Sequence, residues 1–428
     1  MGFTTFGLSD HIMDGVRAAG HTTPTPIQTL AILPALAGRD LLASAQTGTG
    51  KTAAFVLPIL QRLGATSVAT AKAKRPRALI LTPTRELANQ IAESVSTYGR
   101  FVPLKVVSIY GGVGMGSQLS HLRRGVDIVV ATPGRLLDHM QQRSIDLSAV
   151  EVFVLDEADR MLDMGFIRDV RKIIAAVPRE RQTMLFSATF SDEVARLANQ
   201  ILKDPQTVEA GERRNPVETI TQKFYVTERE SKMDVLMDIL RKEALTSVLI
   251  FVRTKHGADK VSRKLERVGI STVAIHSNRT QAQRERALAG FRKGTFRVLV
   301  ATDIAARGID VTGISHVINY DVPQYAEDYI HRIGRTGRAG AAGDAITLVA
   351  QDEQKYLRGI EHYTGRRFSV ELYQGIPNRT ASQPSAIVRM AEPEKPRLGQ
   401  SRVKRNGLRR RGKRFGRTLR TAASPAGA

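Results

Sequence analysis

Short apolar runs alternate with longer amphipathic runs from about residue 40, and this alternation constrains the fold more than any other feature. The apolar runs are DLLASA (40–45), ALILTP (78–83), KVVSIY (105–110), DIVVAT (127–132), VEVFVLD (150–156) and TMLFSA (183–188). They are too short for buried helices and rich in β-branched residues, as strands are. Between them, stretches such as RELANQIAESVSTY place apolar residues three and four apart, the period of a helix with one buried face. Strand alternating with helix implies a parallel sheet covered on both faces. The polar segment around 209–217, containing GERRNP, reads as a linker. A second series follows it: SVLIFV (247–252), TVAIH (272–276), RVLVAT (297–302), HVINYD (316–321) and DAITLVA (344–350). The expectation is two α/β domains in tandem, 1–208 and 218–376, with 42% hydrophobic residues to fill two cores.

Composition narrows the partners. The net charge is +23, which favours a polyanion, nucleic acid before membrane. Residues 377–428 carry 14 Lys or Arg against 2 Glu, a net +12, with Phe415 their one aromatic residue. Such a segment has too little apolar surface to order itself, so a disordered tail is expected, with phosphate contact through Arg409, Arg410, Arg411, Lys413 and Arg414. The chain has no cysteine, which excludes disulfides, thiolate metal sites and a thiol nucleophile. The first ten residues, MGFTTFGLSD, lack a basic region followed by an apolar run, and no stretch of about 18 apolar residues occurs. A soluble, cytoplasmic protein is expected.

Three motifs carry chemistry. In ASAQTGTGKT (43–52) a strand ends, glycines follow and a helix begins. Gly48 and Gly50 allow backbone N–H groups to approach an anion, Lys51 reaches terminal phosphates, and Thr52 offers a hydroxyl to Mg²⁺. Ala45 stands where such loops usually have their first glycine. In VLDEADRML (154–162) a buried strand runs into Asp156, Glu157 and Asp159. Acids so close together need cations among them. Asp156, at the carboxyl end of its strand, suits Mg²⁺, and Glu157 suits the attacking water. In the second domain HRIGRTGR (331–338) spaces Arg332, Arg335 and Arg338 three apart, a source of positive charge for phosphoryl transfer across a domain interface.

AQTGTGKT, VLDEAD, SAT and HRIGRTGR, in this order, resemble the DEAD-box family of ATP-dependent RNA helicases over roughly residues 3–370. DMGFIRDVRKI and the short basic tail look most like the bacterial RhlE-type subgroup. The resemblance implies two RecA-like domains, ATP and Mg²⁺ as cofactors, and single-stranded and short duplex RNA as partner. It implies that GHTTPTPIQ (20–28) reads adenine: Gln28 would bond the base edge, Phe3 would stack on it, and Thr23 or Pro26 would shape the pocket. Ala45, Gln46, Thr47, Gly48, Thr49, Gly50, Lys51 and Thr52 would wrap the phosphates, and Asp310 would meet the ribose. Arg335 and Arg338 would be arginine fingers; Ser187 and Thr189 would link nucleotide state to unwinding through Asp159 and His331. RNA contacts would come from Pro83, Thr84, Arg85, Gly111, Gly112, Thr132, Gly134 and Arg135 in the first domain. In the second they would come from Arg253, Gln281, Arg284, Thr302 and Arg307. These groups suit phosphate and sugar, so weak sequence preference is expected. Ser277 follows His276 where the family more often has glycine. Ribosomal or RNA-degradation proteins are the partners the family suggests, with roles in ribosome assembly or RNA turnover. An RNA clamp or annealing factor and a DNA translocase are the competing functions.

Overall fold

The computed structural model describes residues 2–45, 49–65, 75–209, 220–242, 245–306, 313–337 and 343–374. Gln46, Thr47, Gly48, Arg307, Asp310, Arg338, most of the expected linker and the basic tail lie outside them.

Two seven-stranded sheets form, both within one compact unit. The first holds β1 (Leu41–Ser44), β2 (Ala78–Leu81), β3 (Val106–Ile109), β4 (Ile128–Ala131), β5 (Val152–Leu155), β6 (Gln182–Ser187) and β7 (Gln206–Glu209). Their spatial order is β3-β4-β2-β5-β6-β1-β7, and every pairing is parallel. The second holds β8 (Ile220–Val226), β9 (Val248–Phe251), β10 (Thr272–Ile275), β11 (Val298–Ala301), β12 (His316–Asn319), β13 (Gly343–Val349) and β14 (Val370–Leu372), in the order β10-β11-β9-β12-β13-β8-β14. The expected α/β class and all eleven apolar strands are present.

Period-two alternation builds the core. Ile80, Val130, Val154 and Phe186 face one layer of the first sheet, while Leu79, Val129, Phe153 and Leu185 face the other. Both layers are covered, so the central strands β2, β4 and β5 are apolar at every position, as a doubly covered parallel sheet favours. Leu81 pairs with Ala131 and Leu155, and Ser44 with Ser187, so the loops after all these strands leave one edge of the sheet. That edge gathers the residues of interest.

Three strands are unmarked by apolar runs. β7 is QTVE with one buried residue, and β14 is VEL with none fully buried. Both lie at sheet edges, where one flank meets solvent. β8, ITQKFYV, has Gln222 and Lys223 in its middle. It is nevertheless an interior strand between β13 and β14, because seven residues pair with β13. Glu209, expected to open the linker, ends β7.

Phe153 is fully buried in β5, whose carboxyl end carries Asp156. Phe153→Ala should cost about 3–5 kcal/mol. Urea unfolding followed by circular dichroism measures this; a loss below about 1 kcal/mol would mean that the layer repacks freely.

Candidate functional site

Lys51 opens the helix Lys51–Ala65 immediately after the phosphate loop. Its side chain is 5% exposed, and its Nζ lies 4.0 Å from Asp156 Oδ1 without a hydrogen bond among the described residues. A buried ammonium at a helix N-terminus, where backbone N–H groups are also unsatisfied, suits a polyphosphate. Gly50 has φ +92°, and a Cβ there would lie 2.5 Å from Gln28 Nε2. Glycine is therefore needed both for the left-handed backbone and for the approach of Gln28. Gln28 Nε2 donates to Gly50 O at 3.1 Å, while its Oε1 accepts from Thr25 N at 2.9 Å. Gln28 thus ties the loop to the start of the helix Pro26–Leu36. Thr23 is exposed beside it, and Pro26 occupies the first helical turn. Phe3 differs from expectation. It is 3% exposed and packs edge-on to Phe6 within the core, so its ring face is covered by protein.

Asp156 and Glu157 follow β5 directly and are both buried. Burial pushes Asp156 up to about 6 against the pull of Lys51. Burial would raise Glu157 too, but Arg160, Lys51 and Arg335 outweigh it and hold Glu157 down at about 2. Arg160 Nη1 donates to Glu157 Oε2 at 2.7 Å, with both side chains under 5% exposed. Glu157 adopts φ 55°, ψ 52°. A left-handed non-glycine residue costs on the order of 1–3 kcal/mol and is kept where surroundings fix it, typically at functional sites. Arg160 was not among the expected residues, although its place three positions after Glu157, on one helix face, is a readable signal.

Asp159 reaches the SAT segment. Its Oδ2 accepts from Ala188 N (3.0 Å), Thr189 N (2.9 Å) and Thr189 Oγ1 (3.1 Å), and Ser187 Oγ donates to Thr189 O at 2.6 Å. From the second domain, Arg335 and His331 complete the cluster. Arg335 Nε donates to His331 O at 3.2 Å, and both residues share a small gap with Arg160. Burial, then the Arg160 charge, pushes His331 down to about 4, so the ring is neutral at neutral pH. The three-residue arginine spacing splits in use. Arg332 turns inward to Asp303 (2.5 and 2.7 Å) and Asp321 O (2.7 Å) and lies over Phe251. A cavity of about 880 Å³ opens beside this contact, lined by Asp159, Asp163, Glu209, Glu327 and Asp328 among others. Five carboxylates repel phosphate, which the Lys51 end of the sheet is better suited to hold. Among the described residues no three His, Cys, Asp or Glu side chains are grouped to hold a metal. One carboxylate, Asp156, beside a phosphate loop fits Mg²⁺, which is usually held by one or two carboxylates together with substrate phosphates.

The expected RNA residues of the first domain gather on the same sheet edge. Pro83 is buried, and Thr84 Oγ1 accepts from Leu87 N at 3.3 Å, capping the helix Arg85–Tyr98. Arg85 packs against Gly111 and Gly112. Thr132 precedes the helix Pro133–Gln141, Gly134 is exposed, and Arg135 Nη1 donates to Val113 O at 3.1 Å. The second domain departs from expectation. Arg253 donates to Glu353 Oε1 at 2.8 Å and lies over Tyr356, so its charge is spent within the domain. Gln281 Nε2 and Arg284 Nη2 meet Glu86 Oε1 of the first domain at 3.3 and 3.0 Å. Glu86 is buried, and its carboxylate meets both residues across the domain boundary. Thr302 is partly exposed at the end of β11.

Comparisons agree with this geometry. Residues 25–197 match the model of the DEAD/DEAH box helicases, and residues 231–340 match that of the helicase conserved C-terminal domain. The chain is 44% identical to the ATP-dependent RNA helicase CshA of Listeria monocytogenes over 365 residues, 85% of this chain and 69% of that protein. It is 44% identical to the ATP-dependent RNA helicase DeaD of Mycobacterium tuberculosis, over 85% of this chain and 63% of that protein. Among solved structures, S. cerevisiae Dbp5 bound to RNA and ADP BeF3 superposes with a TM-score of 0.75 at 33% identity, covering 87% of this chain and 95% of that one.

The His331 shift makes stability depend on pH. Its folded value is about 4 against an ordinary 6.5. Below pH 6.5 the unfolded chain takes up a proton that the folded ring refuses. This contribution is therefore full above pH 6.5, falls on acidification and is gone below about 4. Asp156, raised from 3.8 to about 6, acts in the opposite sense across much of that window. The difference between wild type and His331→Gln isolates the histidine: the variant should lose less stability between pH 7 and pH 5, read from urea midpoints. Parallel pH dependence in the two proteins would show that the ring is not held neutral.

Proposed function

This chain belongs to the DEAD-box family of ATP-dependent RNA helicases, and we propose that it hydrolyses ATP on RNA and uses the cycle to part short duplexes or remodel ribonucleoprotein. One observation carries the reading. The ionised Glu157 lies within the field of Lys51 of its own domain, whose ammonium is 4.0 Å from Asp156, and of Arg335 from the other. Hydrolytic groups and a countercharge from across a domain boundary are what phosphoryl transfer between closing domains requires.

Bound Mg²⁺–ATP would supply the scissile phosphoanhydride and a divalent charge across its phosphates. Lys51 and Thr52 hold that end of the ligand in place, and Asp156 offers a carboxylate to the metal. Glu157, held as the anion, orients the attacking water and takes up its proton. Arg335 meets the developing negative charge only while the domains are closed, which makes hydrolysis conditional on closure. Arg338 and Asp310 are assigned the same roles as in the family, as second arginine finger and ribose contact. So are Gln46, Thr47, Gly48 and Thr49 in the phosphate loop. Gln28 positions the loop through Gly50 and offers its remaining amide hydrogen to the base. The Asp159–Thr189 bonds, together with Ser187 and His331, tie the catalytic strand to the domain interface.

RNA runs along the loops bearing Arg85, Gly111, Gly112, Thr132 and Gly134, and over the second domain at Thr302 and Arg307. The basic tail adds salt-sensitive phosphate contacts. The domains divide as 1–209 and 218–376, with Glu209 assigned to the first because it ends β7. No helix among the described residues is long and apolar enough to cross a membrane. We place the protein in the cytoplasm, with ribosome assembly or RNA turnover as its setting.

Steady-state ATPase without nucleic acid, with single-stranded RNA and with matched DNA tests the reading. RNA should stimulate strongly and DNA weakly. Lys51→Ala and Glu157→Gln should each lower kcat by about 100-fold or more. Equal stimulation by DNA, or undiminished hydrolysis in both variants, would overturn it.

A further inference from the structure

We infer that Gln118 and His139, which touch no ligand themselves, are positioning residues that hold the Gly111–Gly112 loop and the TPGR loop in register as one phosphate-binding surface. The inference rests on the RNA path proposed above. Gln118 lies in the helix Met115–Arg124 and is 4% exposed; His139 lies in the helix Pro133–Gln141 and is fully buried.

Their hydrogen bonds span both loops. Gln118 Nε2 donates to Tyr110 O at 2.9 Å, at the start of the glycine loop. Arg135 of TPGR donates from Nη1 to Val113 O at 3.1 Å, at its end, and to Gln118 Oε1 at 3.4 Å. His139 Nε2 lies 3.0 Å from the same Gln118 Oε1, and His139 Nδ1 lies 2.8 Å from Ser144 Oγ. The carbonyls on both sides of Gly111–Gly112 are thereby turned inward. The intervening glycine backbone is what the loop presents outward, with Gly112 exposed and fixed at φ +81°. The exposed Gly134, in the first turn of its helix, is locked beside it through Arg135.

Proton positions follow from the partners. Gln118 uses its amide hydrogen on Tyr110, so its oxygen accepts from both Arg135 and His139. His139 therefore carries its proton on Nε2, and the single Ser144 hydroxyl hydrogen is shared between His139 Nδ1 at 2.8 Å and the His139 carbonyl at 3.0 Å. The alternative amide orientation would set an NH₂ group against the Arg135 guanidinium. Burial, then Arg135, pushes His139 below its ordinary value against Asp138, in keeping with a neutral ring. The network is buried and mutually satisfied, the condition under which polar groups specify one geometry.

A surface so held lowers the entropy lost on binding RNA and leaves the chemical step to other residues. The test uses the full chain and reads ATPase against single-stranded RNA concentration at saturating ATP. Gln118→Ala and His139→Ala should raise KM for RNA about tenfold, the scale of one buried hydrogen bond lost, with kcat within about twofold. His139→Gln carries an N–H near the Nε2 position and should bring KM back to within about threefold of wild type. Val170→Ala, a core change in the same domain, should lower the melting temperature and leave KM unchanged. KM within about twofold of wild type in both alanine variants would overturn the inference. So would an equal rise in Val170→Ala. Should His139→Ala fail to fold, Gln118→Ala and His139→Gln carry the test. A wild-type enzyme that RNA does not stimulate overturns the proposed function instead.

Discussion

Three buried carboxylates at the end of one strand set the terms for the rest of the molecule. Asp156, Glu157 and Asp159 are each less than 7% exposed. Uncompensated, such a cluster would be prohibitively costly, because a buried charge needs a partner or must neutralise. Each carboxylate meets a different solution. Asp156 has the Lys51 ammonium at 4.0 Å and the Glu157 N–H at 3.0 Å, which together do not offset its burial, and its affinity for a proton rises. Glu157 has a close buried arginine, and its affinity falls. Asp159 accepts from three backbone amides, those of Arg160, Ala188 and Thr189, and from the Thr189 hydroxyl. Adjacent acids thus acquire separate properties from environment alone.

The same electrostatics join the domains. Arg160 belongs to the first domain and pairs with Glu157, yet it also depresses His331 of the second. A protonated His331 would face that guanidinium, so closure favours the neutral ring. On another part of the interface Glu86 draws Gln281 and Arg284 across. Gln281 and Arg284, expected to read RNA, therefore also meet a carboxylate of the first domain. Arg253 and Arg332 likewise act inside the second domain, against Glu353 and Asp303. Arginine in a motif announces a cation; which anion it serves depends on what the fold brings within reach.

Much of the architecture was legible. Nine of the eleven legible strands stand out as apolar runs because they lie inside a covered parallel sheet, and the edge strands β3 and β10 because they still bury two and three of their four residues. β7 and β14 were silent because edge strands bury little, and β8 because Gln222 and Lys223 break its run. The phosphate loop and the carboxylate cluster were legible since their spacing is local. Gln118 and His139 were not. A glutamine and a histidine 21 residues apart carry no shared pattern until two helices pack and exclude water from between them.

By itself, the sequence determined the class of fold, the two-domain order, the phosphate loop and the acids that answer it, since those depend on neighbours within a few residues. Only the tertiary structure decided which of those groups are charged, which arginine meets Glu157, and that Phe3 is covered. Charge state and partner choice depend on burial and on contacts between residues far apart in the chain, and neither exists before the chain folds.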